Sequence, residues 1–262
     1  MEMGEAITYQ QDGRLAHLIL NRPEKFNCIN LAMLSELMSA VEKAEQTASV
    51  RVLMLSAEGD HFCTGADLDE VKQHSRSRAS LDEFISYGHV VMQRLESSSL
   101  PVVAAVNGYC LAGGMELMMC ADVVFAAESA RIGCQHARYG LVPGWGGTQR
   151  LPRLVGLRRA LELMYSARWL DAGEARDWGL VNHVVQDSKA DMAATQLAAE
   201  ISYGNPEGLA AMKRLAREGA ALPLGESLEF EQSFSVPALM SDNVAEGLRA
   251  FSEKRRPEFL TT

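Results

Sequence analysis

The sequence predicts an α/β fold that passes into a helical region after about residue 190. Two patterns predict it. Through the first two thirds, short apolar runs of strand length alternate with segments whose apolar residues recur at helical spacing; after that, helical stripes dominate.

The elements follow in order. Residues 7–10 and 15–20 flank Asp12-Gly13, where glycine tolerates a tight turn between β-competent flanks, so a hairpin opens the chain. From Asn30, residues Leu31, Leu34, Leu37, Met38, Val41 and Ala44 share one helical face, and residues 52–55 follow as a buried strand. Ser80 and Glu83 read as a capping box for a helix carrying Phe84, Ile85, Val90, Val91 and Leu95. The polar segment 71–79 before it reads as a solvated loop. Residues 101–106 form the next buried strand, and 122–126 and 130–133 two more. A glycine- and proline-rich loop covers 140–147. Helical patterns then occupy 156–167, 171–178, 189–202, 206–218 and 225–240, with a last strand at 180–185.

Composition narrows the function. The chain of 262 residues is 47% hydrophobic and 23% charged, an ordinary globular balance. Its formal charge of −9 argues against a nucleic-acid partner, which needs a basic surface. The five cysteines, at 28, 63, 110, 120 and 134, are odd in number and form no CxxC pair, so neither a disulfide framework nor a metal cluster is expected. The first fourteen residues are acidic and polar, and no apolar run reaches the roughly 20 residues of a membrane span. A cytoplasmic protein, or a mature organellar matrix protein, is the expectation.

Three segments carry possible chemistry. His61-Phe62-Cys63-Thr64-Gly65-Ala66-Asp67-Leu68 follows a strand end, where small residues let a ligand approach the backbone; its plain reading is a turn that starts a helix. In the second, a buried strand runs through Asn107-Gly108 to Gly113-Gly114, which opens a helix with Glu116 in its first turn. The unpaired N–H groups there suit an oxygen that becomes negative during reaction, although an acid in a first turn also simply complements the helix dipole. No Lys-Ser/Thr follows these glycines, so a nucleotide phosphate loop is not indicated. The third, residues 133–149, holds Gly133, Gly140, Pro143, Gly144, Gly146 and Gly147. Such punctuation fits an active-site wall; taken by itself His136, one of six histidines, reads as a packed or surface residue, and Trp145 as a packing residue.

Taken together, four segments resemble the enoyl-CoA hydratase/isomerase (crotonase) family in order and spacing. They are Asn21-Arg22-Pro23-Glu24-Lys25-Phe26-Asn27, the loop 62–68, Asn107-Gly108 through Gly113-Gly114-Met115-Glu116-Leu117, and Pro143-Gly144-Trp145-Gly146-Gly147-Thr148-Gln149-Arg150-Leu151. The resemblance continues through Ala172-Gly173-Glu174-Ala175 to Lys254-Arg255-Arg256-Pro257 and covers nearly the whole chain.

The resemblance implies a spiral core of strand-strand-helix turns over residues 1–190 and a helical trimerisation module over 191–262, with a homotrimer or hexamer as the assembly. It implies no permanently bound cofactor: coenzyme A enters as part of an acyl-CoA thioester substrate. The thioester oxygen would lie between the backbone N–H groups of Ala66 and Gly113, and losing one such donor typically costs about 3 kcal/mol. Glu116 maps to one catalytic glutamate. The second, normally in Gln-Pro-Glu, aligns with Cys134-Gln135-His136, so His136 stands in its place. Lys25, Ala66, Asp67, Leu68, Phe251 and Lys254 map to the coenzyme A contacts, the last two through a neighbouring subunit. The expected reaction is hydration of a 2,3-enoyl-CoA. Isomerisation, decarboxylation, hydrolysis, dehalogenation and non-catalytic binding are the alternatives the same oxyanion hole leaves open.

Overall fold

The computed structural model describes residues 2–3 and 6–260. Residues 1, 4, 5, 261 and 262, which include the outer ends of both expected units and part of the acidic N-terminal stretch, lie outside the described residues. In chain order, β1 (Glu2–Met3), β2 (Ile7–Asp12) and β3 (Leu15–Leu20) lead to α1 (Leu31–Gln46), and β4 (Val52–Ala57) leads to α2 (Leu68–His74) and α3 (Arg78–Glu96). Strands β5 (Val102–Val106) and β6 (Tyr109–Leu111) run into α4 (Gly113–Met118), followed by β7 (Val123–Ala127) and β8 (Arg131–Gly133). Next come α5 (Gly147–Val155), α6 (Leu157–Ser166), β9 (Leu170–Asp171), α7 (Ala172–Asp177) and β10 (His183–Val185). The chain ends in α8 (Ala190–Ile201), α9 (Pro206–Gly219), α10 (Leu224–Leu239) and α11 (Asp242–Glu253).

The expected spiral is present. The main sheet runs β1-β2-β3-β4-β5-β7-β10, antiparallel up to β3 and parallel beyond it. Each time the chain leaves this sheet it adds a short segment to a second ladder: Ile29 bridges Ala66, Cys63 bridges Cys110, and β6 pairs with β8, all in parallel. Successive turns therefore stack a long strand on a long strand and a short one on a short one. That second ladder fixes Ala66 beside the start of α4.

Side chains alternate across the main sheet, as the two-residue strand period requires. Leu53, Leu55, Val102, Ala104 and Val106 enter the core shared with Leu34, Leu37, Val91 and Leu95 of α1 and α3. Val52, Met54, Val103 and Ala105 face the other way, onto Ala190, Ala194 and Ala198 of α8. Burial on both faces is why these strands read as unbroken apolar runs, and alanines four apart let α8 lie close to the sheet. Further along, Arg217 of α9 bonds Glu96 at 2.8 Å and Asp122 at 2.7 Å, and Lys213 reaches Asp122 at 2.8 Å, tying α9 to the core.

Four local expectations change. Helix α3 begins at Arg78 with Ser77 as its N-cap, accepting from Ser80 N–H; Ser80 is no cap, and its hydroxyl instead bonds His74 Nδ1 at 2.8 Å. Residues 71–74 belong to α2, so the segment 71–79 is mostly helical rather than a solvated loop. Helices α5 and α11 were not expected as separate elements. Among the described residues no helix is long and apolar enough to cross a membrane.

Candidate active site

The site grows from the end of β5. Its backbone turns at Gly108, whose φ of +51° and lack of side chain let it pass where a Cβ would stand 2.2 Å from Asp60 O. After β6 the chain reverses at Ala112, with φ +48° and ψ −118°, a strained geometry for alanine that delivers Gly113 as the first residue of α4. Gly114 is required by contact: a Cβ there would lie 2.2 Å from Cys63 O.

This close packing brings two amides together. A Cβ on Gly113 would lie 3.2 Å from Ala66 N, and one on Gly65, itself at φ +114°, would lie 3.2 Å from Gly113 N. Neither Ala66 N nor Gly113 N has an acceptor among the described residues. Both residues line a cavity of about 290 Å³ whose walls are mostly apolar.

Glu116 stands in the first turn of α4, 1% exposed, and lines the same cavity. Its Oε1 accepts from Trp145 N–H at 2.9 Å and from Gly147 N–H at 2.7 Å. Burial pushes its carboxyl up to about 7, because removing an anion from water outweighs the two amide bonds and the field of Arg150, which oppose the rise. Arg150 also holds the loop: it donates to Trp145 O at 2.8 Å and to Glu96 at 2.9 Å.

His136 occupies a short 3-10 turn, 136–139, on the cavity wall. Its Nε2 lies 3.8 Å from Glu116 Oε2, while Nδ1 lies 3.4 Å from Cys134 Sγ. Burial lowers its basicity, since the charged imidazolium is the form penalised. Burial likewise raises the Cys134 thiol to about 11, leaving it neutral beside the ring.

The structure thus gathers Ala66, Gly113, Glu116, His136 and Leu68 around one cavity, Leu68 being 54% exposed at its rim. Other expected residues lie outside that lining. Asp67 is buried as the N-cap of α2 and paired to Arg22 at 3.0 Å. Lys25 is exposed in the turn Pro23–Lys25, Phe251 is 83% exposed on α11, and Lys254 ends that helix. The tethers of Glu116 went unseen in the sequence because they are backbone groups; the Gly146-Gly147 pair was the only signal. His61, though in the first motif, is structural: it stacks between Phe26 and Tyr109 and its Nδ1 faces Tyr109 N at 3.2 Å.

Chemically, two unpaired amides can stabilise a carbonyl oxygen as it gains negative charge. A carboxyl poised near neutrality can both take and give a proton a few ångströms away. Among the described residues no group of three or more His, Cys, Asp or Glu could hold a metal ion.

Residues 10–261 match the family model described as enoyl-CoA hydratase/isomerase. The chain is 35% identical over 93% of its length to an enoyl-CoA isomerase/hydratase of Mycosarcoma maydis, covering 91% of that protein. It is also 35% identical to a crotonyl-CoA hydratase of Syntrophomonas wolfei, covering 98% of each. Among solved structures, an enoyl-CoA hydratase from Bacillus anthracis superposes with a TM-score of 0.94 at 34% identity, over 98% of this chain and all of that one.

Proposed function

Because the chain belongs to the enoyl-CoA hydratase/isomerase family, we propose that it is an acyl-CoA lyase that adds water across the 2,3-double bond of an enoyl-CoA. The observation that carries this reading is the pair of unsatisfied amides, Ala66 N and Gly113 N, facing the same cavity as the buried carboxyl of Glu116.

In this reading the thioester oxygen accepts from both amides. The free Oε2 of Glu116, the oxygen facing His136, takes a proton from water as the hydroxide adds to C3. Negative charge passes through C2 to the thioester oxygen, where the amides hold it as an enolate. A proton then returns to C2 from the Glu116 carboxyl or through His136, which restores the enzyme and leaves the 3-hydroxyacyl-CoA. The value of about 7 for Glu116 supports both half-reactions at neutral pH. His136, kept neutral by burial, fits a group that passes a proton on rather than one that stays charged.

Coenzyme A arrives with the substrate and none is held between turnovers. Its nucleotide end would run past Ala66, Asp67 and Leu68 towards Lys25, with Phe251 and Lys254 contributed by a neighbouring copy. Assembly as a homotrimer or hexamer through the region 191–262 is supported by α10, which has no buried residue and exposes Leu224, Leu228, Val236 and Leu239. A cytoplasmic location completes the reading, and neither nucleic acid nor membrane is a partner in it.

One observation favours isomerisation as a second reading. Among the described residues Glu116 is the single carboxylate lining the cavity, and one base suffices to carry a proton between C2 and C4 of an enoyl chain. Incubation with crotonyl-CoA separates the two. Hydration removes the conjugated enoyl-thioester absorbance and gives a product heavier by one water. Conversion of a 3-enoyl-CoA to the conjugated isomer with no water added would instead establish the isomerase.

A further inference from the structure

The indole of Trp145 forms part of the wall of the cavity that Ala66 and Gly113 also line. This ring is 2% exposed and packs edge-on to Phe84 with centroids 5.5 Å apart. Two glycines make room for it. A Cβ on Gly88, midway along α3, would stand 2.0 Å from Nε1 and 2.5 Å from Cδ1 and Cε2, so any side chain there must displace the ring. At the opposite edge, a Cβ on Gly113 would lie 3.0 Å from Cζ3. The indole therefore spans from the oxyanion amide to the α3 backbone.

Its position rests on shape, because Nε1 is buried with no hydrogen-bond partner among the described residues. Other lining residues differ in exposure. Tyr139 and Val142 are 67% and 78% exposed, so a chain directed that way stays in water and gains little from burial.

We propose that Trp145, seated against Gly88, is a specificity-determining residue that closes the cavity on the α3 side and restricts the site to short aliphatic acyl chains. This inference rests on the acyl-CoA reading above. It assigns the ring a role separate from that of the Trp145 backbone, whose N–H holds Glu116.

The test compares wild type, Trp145→Leu, the more conservative Trp145→Phe, and Gly88→Ala alone and combined with Trp145→Leu. Two readouts are taken: kcat/KM for crotonyl-CoA against 2-decenoyl-CoA, and calorimetric binding of saturated butyryl-CoA against decanoyl-CoA, which needs no turnover. Because one methylene in a closed pocket changes discrimination by about 10–200-fold, the long-to-short ratio is expected to rise at least about tenfold in Trp145→Leu, and to rise in the same direction in Trp145→Phe. Gly88→Ala should depress both substrates, and Trp145→Leu should restore them in the double variant. A wild type that already prefers the longer chain, or folded Trp145 variants with an unchanged ratio, would overturn the proposal. A wild type that binds neither saturated thioester would overturn the acyl-CoA reading itself and this inference with it.

Discussion

Gly147 donates its backbone N–H to Glu116 Oε1 at 2.7 Å, joining α5 to α4. With Trp145 N–H on the same oxygen, one side of the carboxylate is fixed and the other is left for chemistry. A Cβ on Gly147 would come 3.1 Å from that oxygen, so the loop's glycine is what lets the amide approach. Several consequences of this arrangement can be measured.

Stability should fall with pH because of Glu116. Burial raises its carboxyl from an ordinary 4.5 to about 7. Between those values the folded protein keeps a proton that the unfolded chain has released, so stability declines as pH rises through the window and the loss is complete above it. Glu116→Gln keeps an acceptor for both amides and carries no charge. Its stability advantage over wild type, read by denaturant titration at a series of pH values, should grow from near pH 5 to pH 8 and reach at most about 3 kcal/mol.

His136 has the opposite sign. Its lowered basicity means the unfolded chain takes up a proton that the folded imidazole resists, so its contribution is present above about 6.5 and is lost as pH falls below it. His136→Gln should remove this acid sensitivity in the same titration. The variant should also lose hydration rate by about 10²-fold or more while still binding substrate, the scale of a proton-transfer group.

Gly113 and Gly114 separate reaction from folding. A methyl on Gly113 comes 3.0 Å from the Trp145 ring and 3.2 Å from Ala66 N, tight contacts that shifts of a few tenths of an ångström relieve, whereas one on Gly114 meets the Cys63 carbonyl at 2.2 Å. Gly113→Ala should therefore fold and lose about 10²-fold or more in kcat, the scale of a spoiled oxyanion contact, because the methyl crowds the amide pair while both N–H groups remain. Gly114→Ala should lower the melting temperature, because backbone cannot give way as a flexible side chain can. Circular dichroism melts with initial rates tell the two apart.

Much of the fold was readable because its strands are buried on both faces, and runs such as Val102-Val103-Ala104-Ala105-Val106 admit few other readings. Helix α11 was not, for a definite reason: its buried positions include Asn243 and Glu246, with Glu246 bonded to Arg255 at 2.7 Å, while Leu248 and Phe251 face outward. Apolar periodicity points the wrong way for an element held by polar contacts. Helix α5 was hidden by its Gly-Gly entry and by Pro152 within it.

The site divides along the same line. Glu116 announced itself by its place after Gly113-Gly114, and His136 by its alignment with a family position. What fixes Glu116 is the fold of residues 143–147, whose amides reach it across 29 and 31 positions of sequence and belong to no particular side chain. The stacking of Ala66 on the Gly113 turn likewise depends on short-ladder pairings that no local pattern encodes.

The central claim is that Glu116 performs the proton transfer for a thioester held by Ala66 and Gly113. The most direct measurement is the decay of crotonyl-CoA absorbance with wild type and Glu116→Gln side by side, with binding of butyryl-CoA checked in both. The account predicts turnover in the wild type, a loss of about 10²–10⁴-fold in the variant, and binding kept within a few-fold in the variant. Unchanged turnover in a folded Glu116→Gln protein would contradict it.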